Sequence, residues 1–173
     1  ITQGDVTIEN CMPQHVEPIT LKLQEAHVDV EVEENKMRII GKGSIRAVDA
    51  RTHPYPGFPT DIQAQFMALM TLAQGQSIIM ETVFENRFMH VAELKRMGAN
   101  IALDGHTAII NGVRTLSGAQ LMATDLRASA SLVLAALAAR GQSVISRIYH
   151  IDRGYVSMEE KLSNLGAQVY RLK

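Results

Sequence analysis

One cysteine, few aromatic side chains and almost no net charge limit what this sequence can be. The single thiol, Cys11, excludes an internal disulfide and fits a reducing compartment, so a cytoplasmic protein is expected. No basic cluster adjoins Cys11, and it reads as an inert thiol. Seventeen basic side chains are balanced by 18 acidic ones, for a net charge of -1. That balance offers neither the basic face of a nucleic-acid clamp nor an acidic disordered tail, so no nucleic-acid partner is expected. The alanine- and leucine-rich run Ala128 to Ala139 is shorter than the ~20 residues a membrane-spanning helix needs, and it reads as a buried helix with no membrane role. Ile1-Thr2-Gln3-Gly4 carries neither the basic nor the apolar region of a secretion signal. Gly41-Lys42-Gly43-Ser44 is too short for a phosphate loop, and no dinucleotide fingerprint or zinc-protease motif occurs. His150 and Asp152 could reach one ion but have no third ligand beside them, so neither a metal nor a cofactor is expected.

What the chain does have is repetition. At 173 residues it can build one sizeable core or two to three small units sharing one. Gly4-Asp5-Val6-Thr7-Ile8, Gly75-Gln76-Ser77-Ile78-Ile79 and Gly141-Gln142-Ser143-Val144-Ile145 each read as a turn glycine followed by a strand, spaced 71 and 66 residues apart. Each is followed by an amphipathic helix that stops at a left-handed position, held by His27, Gly98 and Gly166. Strands are expected next, at Val28 to Val32, Ala99 to Leu103 and Ala167 to Leu172, with hairpin returns through Glu33-Glu34-Asn35 and Asp104-Gly105. The repeat is therefore a βαβαββ unit of the α/β (α+β) class, in segments 1–44 (incomplete), 45–115 and 116–173. A chain that enters a repeat halfway is expected to be a piece of a longer protein, and the absent initiator Met agrees.

The two helices of a unit differ in character. Ile62 to Ala73 and Leu126 to Ala139 are apolar nearly all round, which marks them as interior, whereas Glu93, Lys95, Arg96, Glu159, Glu160 and Lys161 put the later helices at the surface. Thr60 with Gln63, and Ser157 with Glu160, have the spacing of capping boxes. Asp61 then falls in the first helical turn, and Asp125 takes the matching place 64 positions on. Both acids read equally as dipole-complementing residues. Arg127 could pair with Asp125 and Arg153 with Asp152, and His90 reads as an ordinary helix-start residue. Met67 and Met70 read as core filling.

Four blocks go further. Pro56-Gly57-Phe58-Pro59-Thr60-Asp61-Ile62-Gln63-Ala64-Gln65, Glu81-Thr82-Val83-Phe84-Glu85-Asn86-Arg87-Phe88, Ala123-Thr124-Asp125-Leu126-Arg127-Ala128 and Ile148-Tyr149-His150-Ile151-Asp152-Arg153-Gly154-Tyr155 resemble the enolpyruvyl transferases, in particular the branch acting on UDP-N-acetylglucosamine at the first committed step of peptidoglycan synthesis. The resemblance covers essentially the whole chain. It implies an inside-out α/β barrel, helices inside and sheets outside, and transfer of the enolpyruvyl group of phosphoenolpyruvate to the sugar 3'-hydroxyl with release of phosphate. In such a site a carboxylate must orient the hydroxyl and accept its proton, and the resemblance gives that role to Asp61. The anionic co-substrate needs guanidinium partners, which the resemblance finds in Arg153 and in the Asp125–Arg127 segment. Val83, through its backbone, and Arg87 would contact the nucleotide sugar.

The family's general-acid cysteine and its catalytic lysine and asparagine have no counterpart here, and Cys11 does not match the cysteine loop. The chain is thus expected to hold about half a site, to need the missing N-terminal part of the same protein, and to be inactive alone. Interior helices without their partner units would leave apolar area that favours self-association. Two other readings stay open: a fragment of the shikimate-pathway enolpyruvyl transferase, from which the Phe84-Glu85-Asn86-Arg87 and His150-to-Tyr155 blocks point away, and a non-catalytic repeat or assembly module.

Overall fold

The computed structural model describes residues 1–172, arranged as three open sheets around two interior helices. In the first sheet β1 (Asp5–Glu9) and β2 (Asp29–Val32) flank β3 (Lys36–Ile40), both antiparallel to it. Helix α1 (Glu17–Glu25) connects β1 to β2. Arg38 lies opposite Glu31 across the ladder and also forks onto Asp5 at 2.9 and 2.7 Å, so charge pairing reinforces the register. The second sheet has the order β4 (Ala50–Arg51), β5 (Gln76–Met80), β7 (Thr107–Asn111), β6 (Asn100–Asp104), with β4 parallel to β5 and the rest antiparallel. The third pairs β8 (Gln120–Met122) with β9 (Val144–Ser146) in parallel.

Period-two alternation explains which face each sheet turns inward. Ser77 and Ile79 on β5, with Ala108 and Ile110 on β7, are fully buried, while Gln76 and Ile78 between them face outward. Against that inner face packs α2 (Gln63–Met70), and α4 (Leu126–Ala138) packs in turn on α2. Phe66, Met67, Met70, Leu132 and Ala135 are among the buried side chains of the core they share, each large one stabilising by ~1.5–3 kcal/mol relative to exposure. The amphipathic helices α3 (His90–Arg96) and α6 (Met158–Asn164) carry their charges outside, and the short α5 (Tyr149–Asp152) precedes α6. Helices inside and sheets outside match the expected architecture, although no closed barrel forms among the described residues.

The helix stops are where the sequence places them. His27, Gly98 and Gly166 have φ of +63°, +93° and +94°. Four local expectations fail. The Thr60–Gln63 capping box does not form: Thr60 donates its hydroxyl to Glu81 Oε2 at 2.9 Å, and the chain enters α2 through a 3-10 turn, Thr60–Ile62. The Ser157–Glu160 box fails because Ser157 is left-handed (φ +46°), whereas a cap needs extended backbone. Helix α2 stops at Met70 rather than Ala73, since Thr71 turns its hydroxyl back onto the Ala68 carbonyl and the last amides tighten onto carbonyls three residues back. Ala167 to Leu172 is not a strand, having no neighbouring strand among the described residues. Arg171 holds it instead, with hydrogen bonds to Asp152 and Glu159.

Two glycines separate two kinds of constraint. A Cβ on Gly98 would meet nothing but must adopt positive φ, whereas on Gly112 it would lie 1.6 Å from the Ala73 carbonyl oxygen. Gly98→Ala is expected to cost ~1–2 kcal/mol. Gly112→Ala is expected to cost more, ~3 kcal/mol or above, because backbone must move. Urea denaturation midpoints measure both, and equal losses would show that the Gly112 contact relaxes freely.

Candidate active site

Asp61 and Asp125 hold matching places in the repeat but do different work. Asp125 is extended (φ -155°) and caps α4, its Oδ1 accepting the amides of Arg127 at 2.8 Å and Ala128 at 2.9 Å. It therefore does not pair with the Arg127 side chain. Asp61 sits inside the 3-10 turn, where its carboxylate caps nothing and projects outward, 58% exposed. Arg127 Nε reaches across from α4 to Asp61 Oδ1 at 2.5 Å, and Arg87 Nη1 approaches the same oxygen at 4.0 Å. The packing of α2 on α4 thus joins residues 66 apart in sequence. The bond to Asp61 pushes the Arg127 guanidinium further above its ordinary range, so it stays charged. Arg87 is only 14% exposed and lies over the Phe84 ring, 4.2 Å from its centroid, which fixes its direction.

The turn after α5 closes one side of this cluster. Gly154 packs on Leu126, where a Cβ would come within 2.9 Å of the leucine side chain, so the turn lies against the start of α4. Tyr155 Oη accepts from Gln65 Nε2 of α2 at 3.5 Å and is close enough to Arg127 to act on its charge. Arg153, two residues earlier, is exposed and makes no ion pair among the described residues. Asp152 does not neutralise it: both Asp152 oxygens face Arg171, at 2.7 and 3.1 Å. Those bonds from Arg171 hold the Asp152 carboxyl, like that of Glu159, below the usual carboxylate range.

Val83, three residues past β5, is 38% exposed, but its amide is taken by Glu81 Oε1 at 2.8 Å, so its carbonyl is the backbone group left for a ligand. Cys11 lies instead at the edge of the first sheet, its thiol 3.6 Å from the Ile8 and Asn35 carbonyls. The cluster therefore contains Asp61, Arg87, Arg127 and the helix-capping Asp125, with Val83 on the loop that leads to Arg87 and Arg153 on the turn that covers α4. Two guanidinium groups, Arg87 and Arg127, converge on Asp61, and the exposed Arg153 on the adjoining turn adds a further cation for an anionic ligand.

A model of the EPSP synthase (3-phosphoshikimate 1-carboxyvinyltransferase) family matches residues 1–162. The chain belongs to this enolpyruvyl transferase family. It is 56% identical over 170 residues to the UDP-N-acetylglucosamine 1-carboxyvinyltransferase of Thermodesulfovibrio yellowstonii, covering 98% of this chain and 41% of that protein. Identity is 58% over 171 residues to UDP-N-acetylglucosamine 1-carboxyvinyltransferase 1 of Caldanaerobacter subterraneus, again with 99% and 41% covered. The chain thus spans about 41% of the length of the curated relatives it matches. Among solved structures, the enolpyruvyl transferase NikO of Streptomyces tendae superposes with a TM-score of 0.86 at 30% identity, over 95% of this chain and 39% of that one. An EPSP synthase from Acinetobacter baumannii shares the fold, with a TM-score of 0.73 at 17% identity over 98% of this chain and 43% of that one.

Two features beside this cluster escaped the sequence reading. Glu81 is 1% exposed and accepts four hydrogen bonds. Its signal was legible: Ser77, Ile79 and Glu81 alternate on the core-facing register of one strand. His90 does begin a helix, but it is 1% exposed, with neither ring nitrogen hydrogen-bonded among the described residues; Gln63 and Thr124 also bury polar atoms without partners. Burial pushes the His90 imidazole down to about 4, with the charge of Asp125 and the Arg87 carbonyl pulling the other way.

A proton consequence follows. The folded value near 4 lies below the ordinary 6.5, so the unfolded chain takes up the proton first as pH falls. The stability from neutral His90 is complete above pH 6.5 and is lost progressively between pH 6.5 and 4, at up to ~1.4 kcal/mol per pH unit. His90→Leu is expected to abolish this slope in denaturation curves across that window while staying within ~1 kcal/mol of the parent at neutral pH, since a side chain of similar size refills the buried space. An unchanged slope would assign the titration to another group.

Proposed function

We propose that the full-length protein transfers the enolpyruvyl group of phosphoenolpyruvate to the 3'-hydroxyl of UDP-N-acetylglucosamine, releasing phosphate, at the first committed step of peptidoglycan synthesis in the cytoplasm. The observation that carries this reading is the exposed Asp61 carboxylate held between Arg127 and Arg87, on a chain 56–58% identical to relatives named for that reaction. Asp61 orients the sugar hydroxyl and accepts its proton as oxygen bonds to C2 of the enol ester. Arg127 and Arg153 bind the anionic groups of phosphoenolpyruvate. Arg87 and the Val83 carbonyl contact the nucleotide sugar, and Asp125 lines the same cleft while anchoring α4.

The ion pair also orders these events. While Arg127 holds Asp61 at 2.5 Å, the carboxylate is occupied. A substrate anion that draws the guanidinium away leaves Asp61 free to take a proton, so base and electrophile are readied together. The general acid, and the lysine and asparagine that complete the chemistry, come from the remainder of the protein, so the chain alone is inactive and can self-associate. Its segments 1–44, 45–115 and 116–173 serve as repeat units, a division supported by each of the three sheets falling within one of them.

The full-length protein and its Asp61→Asn variant provide the test. Calorimetry with UDP-N-acetylglucosamine is expected to give affinities within ~tenfold of each other, while phosphate release falls by ~10²–10⁴-fold in the variant. Undiminished turnover would remove Asp61 from the mechanism. Phosphate release with shikimate 3-phosphate but not with the nucleotide sugar would reassign the acceptor.

A further inference from the structure

We infer that Glu81 is a positioning residue that sets the catalytic turn and the sugar-facing loop in one geometry; the functional part of this inference rests on the reading just proposed. Its carboxylate is buried without a cation. Instead Oε1 accepts the Thr52 hydroxyl at 2.9 Å and the amides of Val83 and Phe84 at 2.8 and 3.1 Å, while Oε2 accepts the Thr60 hydroxyl at 2.9 Å. A buried carboxylate needs such donors, because an unmatched charge in the interior is far costlier than a matched one. The four donors come from places the chain has separate reasons to hold together.

Thr52 and Thr60 are the two ends of the loop that leads into Asp61. Thr52 is itself fully buried, accepting the Thr82 amide at 2.8 Å and receiving the Thr82 hydroxyl on its carbonyl. The Thr52 amide donates to the Met80 carbonyl at 3.0 Å, and the Glu81 amide to the His106 carbonyl at 2.9 Å, which roots the knot in the second sheet. One carboxylate therefore closes the 52–60 loop beneath Asp61 and pins the 83–84 loop ahead of Arg87. By capturing both amides it also turns the Val83 peptide so that only its carbonyl is left to offer. Asp61 and Val83 are each exposed, and this shared acceptor ties the turn that carries one to the loop that carries the other.

Positioning and charge predict different outcomes for two variants of the full-length protein. In Glu81→Gln the amide oxygen can keep the three Oε1 donors, and its NH2 can donate to Thr60, whose hydroxyl rotates to accept. In Glu81→Leu all four donors lose their acceptor. The expected result for Glu81→Leu is a kcat lowered ~10–100-fold and nucleotide-sugar affinity weakened ~tenfold, with the KM for phosphoenolpyruvate within ~twofold, since misplacement of a reacting group by ~1 Å has effects of this size. Glu81→Gln should recover most of both. Hydrogen exchange at the Val83 and Phe84 amides should accelerate in Glu81→Leu and stay near parent rates in Glu81→Gln.

Unchanged kcat and affinity in a folded Glu81→Leu protein would overturn the inference. So would a Glu81→Gln protein as impaired as Glu81→Leu, which would assign the effect to charge, or unchanged amide exchange in Glu81→Leu. A parent protein that exchanges as expected but turns over neither substrate would instead sink the proposed reaction, leaving the loop anchor intact.

Discussion

The packing of α2 against α4 is the constraint from which the site follows. Two interior helices, each apolar nearly all round, can be stable only if they cover one another and are in turn covered by sheets. Once they pack, their starts lie side by side, and the residues that open them meet across 66 positions of sequence. The Asp61–Arg127 contact is thus a by-product of burying Met67, Met70 and Leu132. Surface helices could not hold these groups in place. Exposed ion pairs are worth ~0–1 kcal/mol and do not organise backbones, so the direction of cause runs from the core to the charge.

Repetition supplies the frame, and its breakdown supplies the chemistry. Both interior helices begin near an acid, but only one acid serves its helix. Asp125 has the extended backbone that lets a carboxylate reach the second and third helical amides. At the earlier helix a 3-10 turn replaces the cap, Thr60 turns inward to Glu81, and Asp61 is left with no structural duty beyond its arginine partners. Asp61 carries only its ion pairs, and the inward threonine that leaves it outside a cap is held by a buried glutamate two elements away.

Sequence reasoning reached the class of fold, the interior helices and the left-handed helix stops, because apolar periodicity and positive-φ residues are local properties. It failed where a side chain had two possible partners. Thr60 could accept from its own helix or donate to Glu81, and Ser157 could cap only if its backbone were extended; neither choice is visible from spacing. The last segment read as a strand because its residues suit one, but pairing needs a neighbour, and none of the described strands lies beside it. The four blocks name the candidate site residues, whereas the contrast between Asp125, which caps α4, and Asp61, which faces Arg127, required coordinates.

The buried polar groups beneath the cluster bear on why such an arrangement persists. Gln63 and His90 are buried at the starts of α2 and α3, and each leaves both polar side-chain atoms unmatched among the described residues. Apolar side chains of similar size would fill the same space without the desolvation penalty. His90 lies close enough to Asp125 to feel its charge, which sets it apart from the apolar core around Met67 and Ile79. A neutral imidazole there places a polarisable dipole near the charged cluster without adding a fourth positive charge to compete with the arginines for an anion. An uncharged ring leaves Asp125 to the α4 amides and Asp61 to its two arginines, so the starts of α2 and α4 keep separate electrostatic partners.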